Sequence, residues 1–222
     1  VTAKSNAKLM DNCCGGGNRI DIETSKRSFY LWRSDFDDII EGLKGKDYWP
    51  NMGRNDQVMI GGLNLYMPFH TGPVWDVNPY NFRSNMTTGT VLYGDIARKE
   101  FDDNQAKAGI RELKELRPLF KGDYYPLMKL TTDQDGWYAY QLDRPDLGKG
   151  CAFFFRRTES DILGYQLKLR NIDPKAEYKV SLTGNTYKKG KWMIMNGKEL
   201  MTQNVVIKEK PGSALLRYEL IK

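Results

Sequence analysis

The hydrophobic periodicity of this 222-residue chain changes near residue 121, and any fold it adopts has to accommodate the change. Between about Asn104 and Leu119, and on to Phe120, the residues Ala106, Ile110, Leu113, Leu116 and Phe120 recur every three or four positions, the spacing of one apolar helix face. Asp102 and Asp103 predict an acidic N-terminal cap for that helix, and Arg117-Pro118 its end. Beyond Phe120 the period falls to 2. Tyr165, Leu167 and Leu169 alternate with polar residues, as do Tyr178, Val180 and Leu182, then Val205 and Ile207, then Leu216, Tyr218 and Leu220. Asp173-Pro174, Gly184-Asn185, Asn196-Gly197 and Pro211-Gly212 punctuate these runs as turns. The pattern predicts an antiparallel β-sandwich domain over residues 121–222.

Residues 1–120 read differently. A short strand around Leu9 and Met10 runs into a Gly-rich turn at Gly15, Gly16 and Gly17. Ile20 to Lys26 is a short helix or turn, and Phe29 to Trp32 a second strand ending at Arg33-Ser34-Asp35. Asp37 to Leu43 has helical spacing, and residues 46–57 read as a loop punctuated by Trp49-Pro50 and Gly53. A third strand is expected over Leu63 to Phe69, ending in His70, Thr71 and Gly72. Polar groups gathered at strand C-termini are how (β/α)8 barrels build active sites. Three strands are too few for a barrel, and the chain opens at Val1 without a methionine or signal peptide. The expectation is the C-terminal part of an α/β barrel, followed by an all-β domain, within a longer polypeptide.

Composition narrows the function classes. Aromatic residues at 12% and charged residues at 28% exclude a disordered chain. The longest apolar stretches, such as Cys151 to Phe155, are strand-sized, far below the roughly 20 residues of a membrane-spanning helix. The net charge of +6 raises nucleic-acid binding, but Lys and Arg are dispersed. The densest cluster, Lys188, Lys189 and Lys191, lies among strand-like segments, and no recognition motif accompanies it. A solvated basic surface is the expectation. The three cysteines, with Cys13 and Cys14 adjacent and Cys151 distant, have no metal-site spacing, and His70 is the only histidine. No cofactor or metal is expected. Asn85-Met86-Thr87 matches a glycosylation acceptor.

Two segments carry the chemistry. Asp11 to Asp21 is the densest polar constellation, and its glycines allow backbone N–H groups to approach a ligand closely. Their spacing fits neither phosphate-loop pattern, so a tight turn and a ligand loop both stand. Trp32-Arg33-Ser34-Asp35-Phe36-Asp37-Asp38 sets three carboxylates beside two aromatic rings. Indoles stack on the C–H face of sugars, and carboxylates bond hydroxyls and drive glycosidic cleavage. Asp37 or Asp38 also fits a helix cap; Asp35 is not needed for one. His70 reads either as a hydrogen-bonded structural residue or as a pocket residue. Trp49, Trp75 and Tyr80 are expected in loops, as lids or local packing.

Asp-Asn-Cys-Cys-Gly-Gly-Gly-Asn-Arg-Ile-Asp at 11–21, followed by Leu-Trp-Arg-Ser-Asp at 31–35, resembles the second half of a melibiase, a retaining α-galactosidase of glycoside hydrolase family 36. The resemblance continues through Phe82-Arg83-Ser84, Gly122-Asp123-Tyr124-Tyr125-Pro126-Leu127 and Asp143-Arg144-Pro145-Asp146, and covers most of the chain. It implies the end of a (β/α)8 barrel over residues 1–120, then an antiparallel β-sandwich. It further implies hydrolysis of terminal α-linked galactose with retention, on oligosaccharides or polysaccharide side chains. By the same resemblance Asp35 is the acid/base, while Cys13, Gly15, Gly16, Arg19, Trp32, Asp38 and His70 border the sugar. Cys14, Gly15 and Asn18 depart from the family's usual turn, so galactose and a 2-substituted relative both stay open. The family's nucleophile lies in a Lys-Trp-Asp motif on an earlier strand. Here Lys191-Trp192 is followed by Met193, so the nucleophile is expected in an N-terminal part of the same polypeptide and the isolated chain is expected to be inactive. The alternative is a non-catalytic sugar-binding module.

Overall fold

The computed structural model describes residues 10, 12–13, 20–28, 31–33, 48–93, 96–97, 99–166 and 168–221. It opens with strand β1 (Asn12–Cys13), helix α1 (Ile22–Ser25), strand β2 (Leu31–Trp32), helix α2 (Tyr48–Leu63), strand β3 (Thr71–Val74), helix α3 (Pro79–Ser84) and strand β4 (Gly89–Leu92). β1 pairs in parallel with β2, and β3 with β4. A parallel bridge from Leu31 to His70, with Leu31 N–H donating to Phe69 O at 3.2 Å, joins the two pairs. The four strands therefore lie side by side in chain order, each reached through a helical crossover, as parallel strands require.

Helix α4 (Asp103–Leu116) follows and runs into a 3-10 turn, Arg117–Lys121. Its N-cap is Asp102, whose carboxylate accepts from the N–H groups of Asn104 and Gln105 at 3.0 and 2.9 Å. Ala106, Leu113 and Leu116 are buried, so the apolar face read from the sequence is the one that packs. Arg117-Pro118 tightens the last turn rather than ending it outright.

The rest is β-rich: β5 (Asp123–Pro126), β6 (Trp137–Arg144), β7 (Lys149–Arg156), β8 (Gly164–Gln166), β9 (Glu177–Thr183), β10 (Met193–Asn196), α5 (Gly197–Met201), β11 (Asn204–Val206) and β12 (Gly212–Leu220). An antiparallel sheet of six strands has the order β10-β9-β12-β7-β6-β5. One face, carrying Tyr138, Tyr140, Phe153, Phe155 and Leu215, packs against α3, α4 and α2 in one core. The other, carrying Trp137, Ala152, Phe154, Val180 and Leu216, is covered by Leu169, Leu200, Val205 and Ile207. Its cover is a two-stranded β8–β11 pair and the short α5 rather than a second full sheet. Asn196-Gly197 begins α5 with a capping box to Glu199 and is not a hairpin turn.

Several expectations for the first part need correction. Residues 48–63, read as a loop and the start of a strand, form α2. Pro50 falls in its first turn, where no backbone donor is needed. The third strand is β3, beginning after His70 instead of ending there. Tyr80 lies in α3 at 2% exposure, as core rather than lid. The helix expected over Asp37 to Leu43 and the strand around Leu9 lie outside the described residues, while Met10 is exposed. Among the described residues no helix is long and apolar enough to cross a membrane. Asn85 of the acceptor sequon is buried at 3% and donates to Asp56, which leaves its amide no room for a glycan.

Candidate functional site

Side-chain alternation assigns the two faces of the parallel strands. Leu31 packs with Leu63, and Arg33 reaches Asp56 of α2, so the odd positions of β2 face the helices. Val74 joins the core with Ile60, Tyr80 and Phe82, and a Cβ on Gly72 would sit 2.6 Å from the Asn85 carbonyl. Trp32 therefore points to the opposite face, with its pairing partner Cys13. Pro73 pairs with Val91, and the same parity carries Trp75 and Tyr93, just past their strands, to that face too.

These residues meet. The Tyr93 ring lies 5.8 Å from Trp32 and 4.7 Å from Trp75, centroid to centroid, the latter edge-on at 75°. Trp32 and Trp75 are half-buried, while Cys13 and Tyr93 are exposed. An aromatic wall thus stands at the C-terminal ends of β2, β3 and β4, with a thiol at the end of β1. Such a wall offers ring faces to an apolar C–H surface, as sugars present. The Gly-rich segment 14–19 follows β1 directly in sequence, and Ser34-Asp35 follows Arg33.

Behind the wall is a sealed polar cluster. Arg33 Nη2 donates to Asp56 Oδ1 and, at 2.8 Å, to Asn85 Oδ1; Asn85 Nδ2 donates to Asp56 Oδ2. Arg33 and Asp56 side chains are each 1% exposed. This ties the end of β2 to α2 and to the C-cap of α3. Asp76, next after Trp75, is spent on the N-terminus of α3, accepting from Asn78 N–H and Asn78 Nδ2 at 3.2 and 2.7 Å.

Of the residues expected at the site, Cys13 and Trp32 come to this face together. His70 does not join them: it sits before β3, at 0% exposure, with Nε2 2.8 Å from Asn64 Oδ1 and Nδ1 3.2 Å from the Thr71 carbonyl. Burial, helped by the nearby Arg33 charge, pulls its pKa down to about 3 from the usual 6.5. Gly15, Gly16, Arg19, Asp35 and Asp38 lie outside the described residues. Tyr93 and the Arg33–Asp56–Asn85 cluster escaped sequence reading; Asp56 and Asn85 are far from Arg33 in sequence, and only the fold joins them. A larger apolar cavity, about 580 Å³, lies among Ile20, Ser25, Leu31, Met67 and Phe69 on the helix side, away from the wall. Among the described residues no cluster of His, Cys, Asp and Glu could hold a metal ion.

No protein-family model matches the sequence, and no curated protein does. Solved structures do. The galactosidase domain of the α-galactosidase–sucrose kinase AgaSK superposes with a TM-score of 0.73 at 18% identity, over 96% of this chain and 29% of that one. The GH36 α-galactosidase AgaA of Geobacillus stearothermophilus gives 0.72 at 19% identity, again over 96% and 29%. The α-galactosidase of Lactobacillus brevis gives 0.71 at 16%, with the same coverage. The chain thus spans under a third of the length of these structures. Within that span it shares the fold of the C-terminal part of the GH36 α-galactosidases.

Proposed function

We propose that this chain is the C-terminal part of a retaining α-galactosidase, residues 1–120 completing its (β/α)8 barrel and residues 121–222 forming its β-sandwich. The observation that carries the reading is the aromatic wall of Trp32, Trp75 and Tyr93 at the C-terminal ends of consecutive parallel strands. Barrel enzymes place their chemistry at that end. The likeness to galactosidases over 96% of the chain supports the same reading. One relative, AgaA, has been crystallised with raffinose and with stachyose, which makes α-galactosyl oligosaccharides the substrate class to test.

In this reading the Asp35 carboxyl protonates the leaving glycosidic oxygen, and its carboxylate then takes a proton from the water that releases the sugar. The partner carboxylate, about 5–5.5 Å from the Asp35 carboxyl as retention requires, attacks the anomeric carbon from the opposite face of the sugar. No Lys-Trp-Asp motif occurs in these 222 residues, so the nucleophile belongs to an N-terminal part of the same polypeptide. Purified alone, the chain is expected to give no turnover; activity that Asp35→Asn abolishes would refute this.

The decisive experiment uses the longest natural polypeptide containing the sequence. Nitrophenol release from an aryl α-galactoside is compared between wild type and Asp35→Ala. General acid catalysis contributes about 10²–10⁴-fold, so a loss of that size is expected, with azide restoring part of it as α-galactosyl azide, the anomer that two successive inversions give. A wild type that binds galactose without turnover points instead to a recognition module.

A further inference from the structure

Lys191-Trp192, which leads into β10, belongs to no part of the site above, and Trp192 borders a second cavity. Pairing sets Lys149 of β7, Glu219 of β12 and Lys179 of β9 in one row across a face of the six-stranded sheet. Strands lie about 4.8 Å apart, so cation, anion and cation follow one another at that spacing. Lys149 and Glu219, 3.1 Å apart and both partly exposed, lie in an open groove of about 480 Å³. That volume falls inside the roughly 300–1,000 Å³ of small-ligand sites. The Trp192 indole, 48% exposed, forms one wall, and Pro118 and Leu119 of the 3-10 turn form another. Lys189 and Glu115, 2.7 Å apart, add a second ion pair to the lining. Deeper in, Arg217 spends its Nη atoms on Glu112 and Thr183, leaving its buried Nε–H without an acceptor.

The lining selects its occupant. A purely apolar ligand would strip water from the ammonium and carboxylate groups without replacing it, at high cost. A polyanion would meet Glu115 and Glu219 as well as the lysines. A hydroxyl-rich neutral ligand satisfies both signs, since each hydroxyl donates to a carboxylate and accepts from an ammonium. Its C–H face can lie on the indole. We propose that this groove, distinct from the aromatic wall at the parallel strands, is a binding site for a neutral oligosaccharide.

Ligand-observed NMR on the full 222-residue chain tests this, with stachyose as the neutral probe and a sulfated oligosaccharide as the anionic one. Trp192 is half exposed and outside both cores, so Trp192→Ala leaves the fold in place, which circular dichroism checks. The expected result is stachyose binding that persists in Trp32→Ala, which removes the wall, and that in this background weakens at least tenfold on adding Trp192→Ala and likewise on adding Glu219→Gln. Unchanged binding on adding Trp192→Ala to Trp32→Ala, preference for the sulfated probe, or no binding by wild type overturns the proposal. Binding lost only in Trp32→Ala also overturns it, while leaving the galactosidase reading intact.

Discussion

His70 holds the chain's one imidazole where no water reaches it, between Asn64 and the Thr71 carbonyl. Its folded pKa of about 3 lies below the ordinary 6.5, so between those values the unfolded chain binds a proton that the folded chain does not. Stability from this group is complete above about pH 6.5 and is lost as pH falls toward 3. Thermal melts at pH 7 and pH 4.5 should therefore show a lower midpoint at pH 4.5, with a smaller difference in His70→Gln. An equal difference in the variant would assign the pH dependence to carboxylates instead. The sequence offers a lone histidine beside an apolar run, which fits a structural residue and a catalytic one alike. What decides is which end of β3 it occupies, and the strand lies at Thr71–Val74 rather than over Leu63 to Phe69. The placement of Trp32 was more legible, because the strand read over Phe29 to Trp32 ends where β2 does, whereas Cys13 entered only through the family resemblance and not through the strand read at Leu9 and Met10.

At the scale of elements, α4 was legible and α2 was not, for opposite reasons. The apolar residues of α4 repeat at helical spacing above an Asp102 cap, so local chemistry and packing agree. In α2 they conflict: Pro50, Gly53, Gly61 and Gly62 read as breakers, while Asp56 and Gln57, each 1% exposed, point inward. Gly53 and Gly61 serve packing, whereas a Cβ on Gly62 would meet open space. A Cβ on Gly53 would lie 2.6 Å from the Tyr80 ring, and one on Gly61 2.5 Å from the Tyr138 hydroxyl. Asp56 and Gln57 face inward because Arg33 and Arg157 need acceptors there, Arg157 Nε donating to Gln57 Oε1 at 3.0 Å. Tertiary contacts thus override propensity at Gly53, Asp56, Gln57 and Gly61. The same close approach recurs once in α4, where a Cβ on Gly109 would meet the buried Phe82 ring at 2.5 Å. Gly109→Ala gains about 1 kcal/mol of helix propensity. Overpacking a rigid ring contact costs about 1–3 kcal/mol, so the net expectation is a lower urea midpoint. A raised midpoint would mean that Phe82 has room to turn.

Across the whole molecule, the helices beside the parallel strands and the antiparallel sheet are joined through one buried carboxylate. Glu112 of α4 accepts from Arg83 of α3 through both oxygens, at 2.8 and 3.0 Å, and from Arg217 of β12 at 2.8 Å. Arg83, at 0% exposure, also donates to the carbonyls of Gly184 and Thr186, so α3, α4, β12 and the loop after β9 meet at one guanidinium. None of this is readable from the chain, since the partners are far apart in sequence and each residue alone resembles a surface charge. Removing one member of a buried ion group leaves the others charged without a partner, which costs about 3–5 kcal/mol. Glu112→Ala strands two cations at once and should lower stability by about that amount, a large share of the about 5–15 kcal/mol that holds a domain together. Urea unfolding at unchanged m-value measures it. The double variant Glu112→Ala, Arg217→Met separates the causes: if stranded charge dominates, removing one cation makes the pair of changes no worse than Glu112→Ala alone. If losses instead add in full, the carboxylate contributes packing and hydrogen bonds rather than charge balance, and the two layers are held by their shared apolar core.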